Sequence, residues 1–309
     1  MSTSFHTIDH WSSKLSISSL PSACFLSDVA VFDIDESGNP LPNHRPELLP
    51  LAESAVQSGS SEVASNDLPG RASAGISIPV YYDGKVVSVV VLLARGAEGE
   101  VETSESPIGV FEVWEPIGIY DEVALKDGYY GKMERFHNVS SFVRFERGSG
   151  LPGQVWDGRC SMIHDDLGNH PGFLRAAGAS ADLLRTAVGI PVAAEQFRST
   201  AVLISSSQTP IARGMEVWKV CEDRDEFELV SAAYYNLGDD YALPIGTCRS
   251  GELSPFSRLK QEMRALVTDD PSELLAGRDE DVAAPGPTSG LAIPFFEGAT
   301  LTSITLFLF

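Results

Sequence analysis

The longest apolar stretches of the chain recur in one setting, an Ile-Pro pair followed by a short polar break and a second apolar run. The three copies are GISIPVYYDGKVVSVVVLLA from Gly75, TAVGIPVAAEQFRSTAVLISSS from Thr186 and SGLAIPFFEGATLTSITLFLF from Ser289. Each predicts a β-hairpin: an extended strand, a turn, and a return strand rich in β-branched residues. Asp83-Gly84 and Glu297-Gly298 supply turn chemistry in the first and third copies, whereas the middle copy has Ala194-Glu195-Gln196 there. The return strands are nearly continuous in apolar residues, which predicts burial on both faces.

The three prolines, Pro79, Pro191 and Pro294, lie 112 and 103 residues apart. A second block keeps the same phase: SESPIGVFEVWE, Ser104 to Glu115, is matched by SQTPIARGMEVWK, Ser207 to Lys219, with Trp114 and Trp218 104 residues apart. These blocks predict further strands, with Phe111 and Val113, and likewise Met215 and Val217, on one face. A period near one hundred residues is the size of a small domain, too long for a solenoid repeat. The predicted organisation is three tandem units: 1-103, 104-206 and 207-309.

Between the blocks of the middle unit, VRFERGSGLPGQVWDGRCSMIHDD reads as strands and glycine-bearing turns. PGFLRAAGASADLLRTA then reads as a helix, with Leu174, Ala177, Ala181 and Leu184 at the spacing of a buried face. The serine-rich segment from Gln57 to Asn66 and the stretch Arg278 to Ser289, RDEDVAAPGPTS, read as exposed, low-complexity surface.

Composition narrows the function classes. Of 309 residues, 43 are Asp or Glu and 22 are Lys or Arg, for a formal net charge of -21. Such a field repels a phosphate backbone and an anionic lipid surface, so no nucleic-acid and no membrane partner is expected. The amino terminus lacks the charge and apolar run of a secretory signal, and no window approaches a membrane span, so a cytoplasmic protein is expected. Cys24, Cys160, Cys221 and Cys248 are scattered and form no CxxC pair; they signal neither a disulfide framework nor a zinc site.

One stretch is more specific. Gly150, Leu151, Gly153, Val155 and Trp156 resemble the G-x-G-L-x-G-x-V-W pattern of GAF domains. Asp165 or Asp166 resembles that family's strand-end aspartate; Pro171, Phe173, Arg175 and Ala176 its P-x-F-x-R-A helix start; and Ile190, Pro191 and Val192 its I-P strand. Units one and three are similar to the family mainly through the repeat and read as degenerate copies. The resemblance implies an α+β fold in which each module has a central antiparallel sheet, helices on one face, and loops over a ligand cavity on the other. It implies binding and regulation rather than a particular ligand. No cyclic-nucleotide signature and no Cys-His bilin site occurs in the chain.

The candidate ligand-binding residues are therefore Trp156, Cys160, Asp165, Phe173, Arg175 and Arg185, with Arg175 and Arg185 placed on a helix over the cavity mouth. Arg175 has an intradomain salt bridge as its competing role. Cys160 is the candidate for thiol chemistry, against a buried core cysteine as the plainer reading. His164, Asp166 and His170, beside Asp165, are the densest group of potential metal ligands, against turn capping by the aspartates. No catalytic output segment is recognisable, and no cofactor is identified. The expected function is non-enzymatic small-molecule sensing or a regulatory scaffold that signals through a protein partner. The alternative is a GAF-fold enzyme using Cys160 or the His164 to His170 group.

Overall fold

In the computed structural model, residues 16–18, 20–96, 109–221, 224–237, 241–274, 276–278 and 286–309 are described. The expected boundary at 103/104 and residues 279–285 of the expected exposed stretch lie outside the described residues. The protein mixes antiparallel sheets with short helices, an α+β fold.

The first sheet is built from β1 (Ser16–Ser18), β2 (Leu26–Asp33), β3 (Glu62–Ala64), β4 (Ala72–Tyr82) and β5 (Lys85–Arg95), with helix α1 (Leu49–Ser58) on one face. The second comprises β6 (Gly109–Pro116), β7 (Glu122–Tyr129), β8 (Arg144–Glu146), β9 (Met162–His164), β10 (Leu184–Ala193) and β11 (Phe197–Ser206). Helices α2 (Glu134–Phe142), α3 (Gly150–Gly158) and α4 (Ala176–Ala181) belong to it. The third contains β12 (Gly214–Val220), β13 (Glu226–Tyr234), β14 (Cys248–Ser250), β15 (Leu266–Thr268), β16 (Gly290–Glu297) and β17 (Thr300–Leu308), with α5 (Phe256–Glu262).

The strand order β8-β7-β6-β11-β10-β9 of the second sheet is repeated as β14-β13-β12-β17-β16-β15 in the third. Among the described residues the first has five strands, β1-β2-β5-β4-β3, so that β2 holds the place of β6 and β12. The Ile-Pro hairpins are β4/β5, β10/β11 and β16/β17. Asp83 and Gly84 both take positive φ between the paired Tyr82 and Lys85, as a two-residue turn requires. In the third hairpin Glu297 pairs with Thr300, so the turn residues are Gly298 and Ala299 rather than Glu297-Gly298.

Strand alternation explains the unbroken apolar runs. Ile78 and Val80, Ile190 and Val192, and Leu291 and Ile293 all point into one central core shared by the three sheets. Their alternates enter separate outer cores: Val89, Val91 and Leu93 under α1, Ala187, Val202 and Ile204 in the middle unit, and Ala292, Leu306 and Leu308 in the third. Pro79, Pro191 and Pro294 meet at a cavity of about 10 Å³ lined mostly by apolar side chains, no roomier than one water needs. In the middle unit the helices and the loops therefore share the outer face. This differs from the expected arrangement, because the opposite face is occupied by the neighbouring sheets.

The sheets are joined head to tail into a closed ring. Edge strand β3 lies against β6 and β7, β9 against β12 and β13, and β15 against β2 and β1. The residue preceding each edge strand bonds to the return strand of the neighbouring unit's hairpin. The Ser61 amide donates to Ser199 Oγ at 3.3 Å, the Ala265 amide donates to Ser88 Oγ at 3.1 Å, and Thr305 Oγ1 donates to Ser161 Oγ at 2.6 Å. One residue earlier, Ser60 Oγ donates to Glu115 at 2.6 Å and Arg264 pairs with Asp33 at 3.3 Å. The serine-rich segment is thus a buried joint around Ser60 and Ser61, not loose surface.

Two local expectations in the middle unit are corrected. The glycine-bearing stretch is helix α3 rather than a turn. A Cβ on Gly150 would stand 2.4 Å from the Phe145 ring, and one on Gly153 would stand 2.1 Å from the Glu146 carbonyl oxygen, so these glycines let the helix lie directly on β8. Downstream, only Ala176–Ala181 is helical. Leu174, Ala177 and Ala181 are exposed, while Phe173, Arg175 and Ala179 are buried and Leu184 begins β10. The buried face is organised by a cation rather than by the apolar spacing.

Candidate functional site

That cation is the guanidinium of Arg175, which sits at the N-terminus of α4 and pairs with Glu112 of β6; neither side chain is appreciably exposed. Strand alternation puts Glu112 and Trp114 on the outer face, while Phe111 and Val113 join the central core. Glu112 accepts hydrogen bonds from Trp114 Nε1 at 2.9 Å, Tyr130 OH at 2.8 Å, Ser140 Oγ at 3.2 Å, and Arg175 Nη2 at 2.8 Å with a second, shorter bond from Nη1. The guanidinium lies 4.7 Å from the centroid of Phe136, 5.2 Å from those of Trp114 and Phe173, and 5.8 Å from that of Phe145. This is an aromatic cage for a planar cation, filled by the protein's own side chain.

Burial opposes ionisation of Glu112, but the charge and hydrogen bonds of Arg175, with those of Trp114 and Tyr130, hold its carboxyl below the usual range. Burial and the adjacent carboxylate push the Tyr130 phenol far up, so it remains a donor.

The third unit repeats the arrangement. Glu216 pairs with Arg278 and accepts from Trp218 Nε1 at 2.8 Å and from Tyr234 OH at 2.9 Å. The Arg278 guanidinium lies 4.2 Å from the Tyr241 centroid, and its Nε donates to the Tyr241 carbonyl at 2.8 Å. Arg278, expected to open an exposed loop, is instead buried. Among the described residues the first unit shows no such pair. Across the hairpins, the Ile-Pro proline leads by strand pairing to Trp114, Trp218 and Phe32, and two residues earlier to Glu112, Glu216 and Ala30. With Ala30 at the glutamate position, the first outer core is closed by apolar packing against α1.

Of the sequence candidates, Phe173 and Arg175 meet in the cage. Trp156 lies outside it, stacked on Phe197 at 5.3 Å with Arg147 over its ring. Arg185 is the second residue of strand β10 instead of standing on a helix, and pairs with Asp165 at 3.4 Å and Asp166 at 3.2 Å. Asp165 faces the next unit and accepts from Tyr235 OH at 2.7 Å and Thr186 Oγ1 at 2.8 Å. Asp166, at positive φ, accepts from the Asn169 amide group at 3.1 Å and so closes a turn.

Cys160 packs against the central core, away from the cage, and burial raises its thiol pKa despite a hydrogen bond with Ser303. A suppressed thiolate is a poor nucleophile. His164 is buried, stacked 3.9 Å from His170, and bonded to Gln154 at 3.1 Å; burial and His170 lower its pKa to about 4. Among the described residues His164, Asp165, Asp166 and His170 do not bring three ligand atoms together, whereas Cys221, Glu226 and Cys248 place one such atom each within 4.8 Å of the others.

Glu112, Tyr130 and Ser140 are not among the sequence candidates. A signal was present: Glu-x-Trp occurs in both units, with a tyrosine 18 residues after each glutamate.

By sequence, no protein family and no curated protein matches the chain. By structure, part of it is similar to a GAF domain of A. aeolicus nlh2 in an inactive state, at 13% identity and a TM-score of 0.26, covering 32% of this chain and 58% of that one. Part is similar to a Staphylococcus aureus NreA protein mutated in its nitrate-binding site, at 13% identity and a TM-score of 0.29, covering 39% and 83%. Free methionine-R-sulfoxide reductase from Neisseria meningitidis in complex with its substrate matches at 20% identity and a TM-score of 0.25, covering 33% and 53%. The chain spans somewhat more than half the length of the first of these, and likenesses at these scores assign it no activity or substrate.

Proposed function

We propose that this chain is a non-enzymatic regulatory scaffold of three GAF-like modules, approximately 1-103, 104-206 and 207-309, that signals through a protein partner. The observation that carries this reading is the pair of self-filled sites. Arg175 with Glu112, and Arg278 with Glu216, occupy the space between helices and sheet that a small ligand would need. The raised Cys160 thiol argues in the same direction, against the enzymatic alternative. On the middle module Ile119, Tyr120, Phe142, Leu174 and Leu183 are exposed apolar side chains that a protein partner would cover.

The test is native mass spectrometry of protein purified from its own host, paired with a chemical rescue. Wild-type protein is expected to carry no retained small molecule. Arg175→Ala is expected to lose thermal stability and to regain part of it with millimolar methylguanidinium, which fits the emptied cage. A stoichiometric organic ligand on the wild-type protein would restore sensing as the primary role and overturn the scaffold reading.

A further inference from the structure

Four cysteines spread over the chain gave no metal pattern, but folding brings two of them together in the third unit. The Cys221 amide donates to the Glu226 carbonyl at 3.0 Å, which extends the β12/β13 ladder by one pair beyond Val220 and Phe227. On the other side of β13, Glu228 stands opposite Cys248 of β14. Phe227 points into the outer core, so alternation turns Glu226 and Glu228 to the opposite face. Cys221 and Cys248 flank β13 on either side of Glu226. The two Sγ atoms and a Glu226 carboxylate oxygen all lie within 4.8 Å of one another.

We propose that Cys221, Glu226 and Cys248 form a binding site for a single soft divalent cation of the Zn²⁺ type. Thiolate sulfur selects zinc-like ions over magnesium and calcium, and a carboxylate oxygen is an accepted third zinc ligand. Cys221 and Glu226 are half-buried and Cys248 is exposed, which leaves a coordination position open to water. Arg224 Nη1 lies 2.9 Å from Glu226 Oε2, where it offsets the excess negative charge of two thiolates and a carboxylate around a dication. The ligands stand on paired strands at the rim of the third sheet, so the ladder rather than a metal-induced fold sets their spacing. The site lies on the opposite face of β13 from the Glu216–Arg278 cage, and its occupancy does not depend on the scaffold reading.

The experiment is a Co²⁺ titration of the full-length protein under a non-chelating phosphine reductant, with native mass spectrometry of the Zn²⁺ form. Wild type is expected to take up one ion per chain and to develop a thiolate-to-cobalt charge-transfer band. Cys221→Ser and Cys248→Ser are expected to lose the band, whereas Cys160→Ser retains it. Glu226→Gln, which keeps both thiols, is expected to weaken Zn²⁺ binding by about tenfold or more. The proposal is overturned if wild type shows no band, if the band survives in both serine variants, or if anaerobically purified protein carries a Cys221–Cys248 disulfide and no metal. Circular dichroism of each variant separates loss of binding from loss of fold.

Discussion

Removing either partner of the Glu112–Arg175 pair leaves a charge in a place water does not reach, and that sets the size of the effect. Arg175→Met keeps much of the stem and its packing among Phe136, Phe145 and Phe173 but leaves the Glu112 carboxylate with only three neutral donors, Trp114, Tyr130 and Ser140. Breaking a buried pair in this way costs about 3–5 kcal/mol. Glu112→Leu leaves the guanidinium among aromatic rings without its counter-charge, at a cost of similar size. The double variant removes both charges together, and replacing a buried pair by apolar groups is often close to neutral. Its loss should therefore fall well below the sum of the two single losses, with a coupling of about 3 kcal/mol at the upper end of contacting pairs. The assay is urea unfolding followed by tryptophan fluorescence on all four proteins. Because the carboxyl of Glu112 is held below its ordinary value of 4.5, its contribution is complete above that pH and is lost as pH falls through the lower folded value. Additive single losses, or single losses under about 1 kcal/mol, would refute the account of the cage.

Three further outcomes are expected. His164 has a folded pKa near 4, below its ordinary 6.5, so the unfolded chain binds the proton first and stability declines as pH falls from 6.5 towards 4. The decline from this residue is on the order of 3 kcal/mol, and His164→Asn should flatten that part of a pH–stability curve. Gly153→Ala should cost about 2–3 kcal/mol by forcing α3 off the Glu146 carbonyl, whereas Gly158→Ala on the same helix meets no atom within 4 Å and should cost nothing in the same urea titration. In metal-free, reduced protein a disulfide-exchange reagent should modify exposed Cys248 first and Cys24, fully buried with its thiol pushed up to about 11, only after unfolding; early loss of Cys24 would contradict its placement in the core.

The hairpins were legible because alternation and turn chemistry are local. The Ile-Pro runs predicted β4/β5, β10/β11 and β16/β17, and the Glu-Val-Trp blocks predicted β6 and β12 with the correct inward residues. The glycine stretch was misread because Gly150 and Gly153 serve a close approach to β8, a tertiary demand that imitates turn composition. The helix after Pro171 was placed on the wrong face for a related reason. A buried arginine inverts the apolar pattern, and nothing within that segment announces the glutamate 63 residues earlier that admits it. The Cys221, Glu226 and Cys248 group was hidden by the same kind of distance, since the two cysteines lie 27 residues apart in the sequence.

The three joints impose a condition that the cages do not. In a closed cycle each unit presents a head to one neighbour and a tail to the other, so excising any one unit would bare two mating surfaces and that unit's side of the common core. A single unit expressed alone would carry complementary ends, the geometry from which three separate copies close a ring of their own. Within one chain the three sheets can differ in their interiors while their ends still match those of their neighbours. The first unit illustrates that freedom: Ala30 and Phe32 stand where the others keep glutamate and tryptophan, yet Ser88 and Ser61 still engage the units on either side.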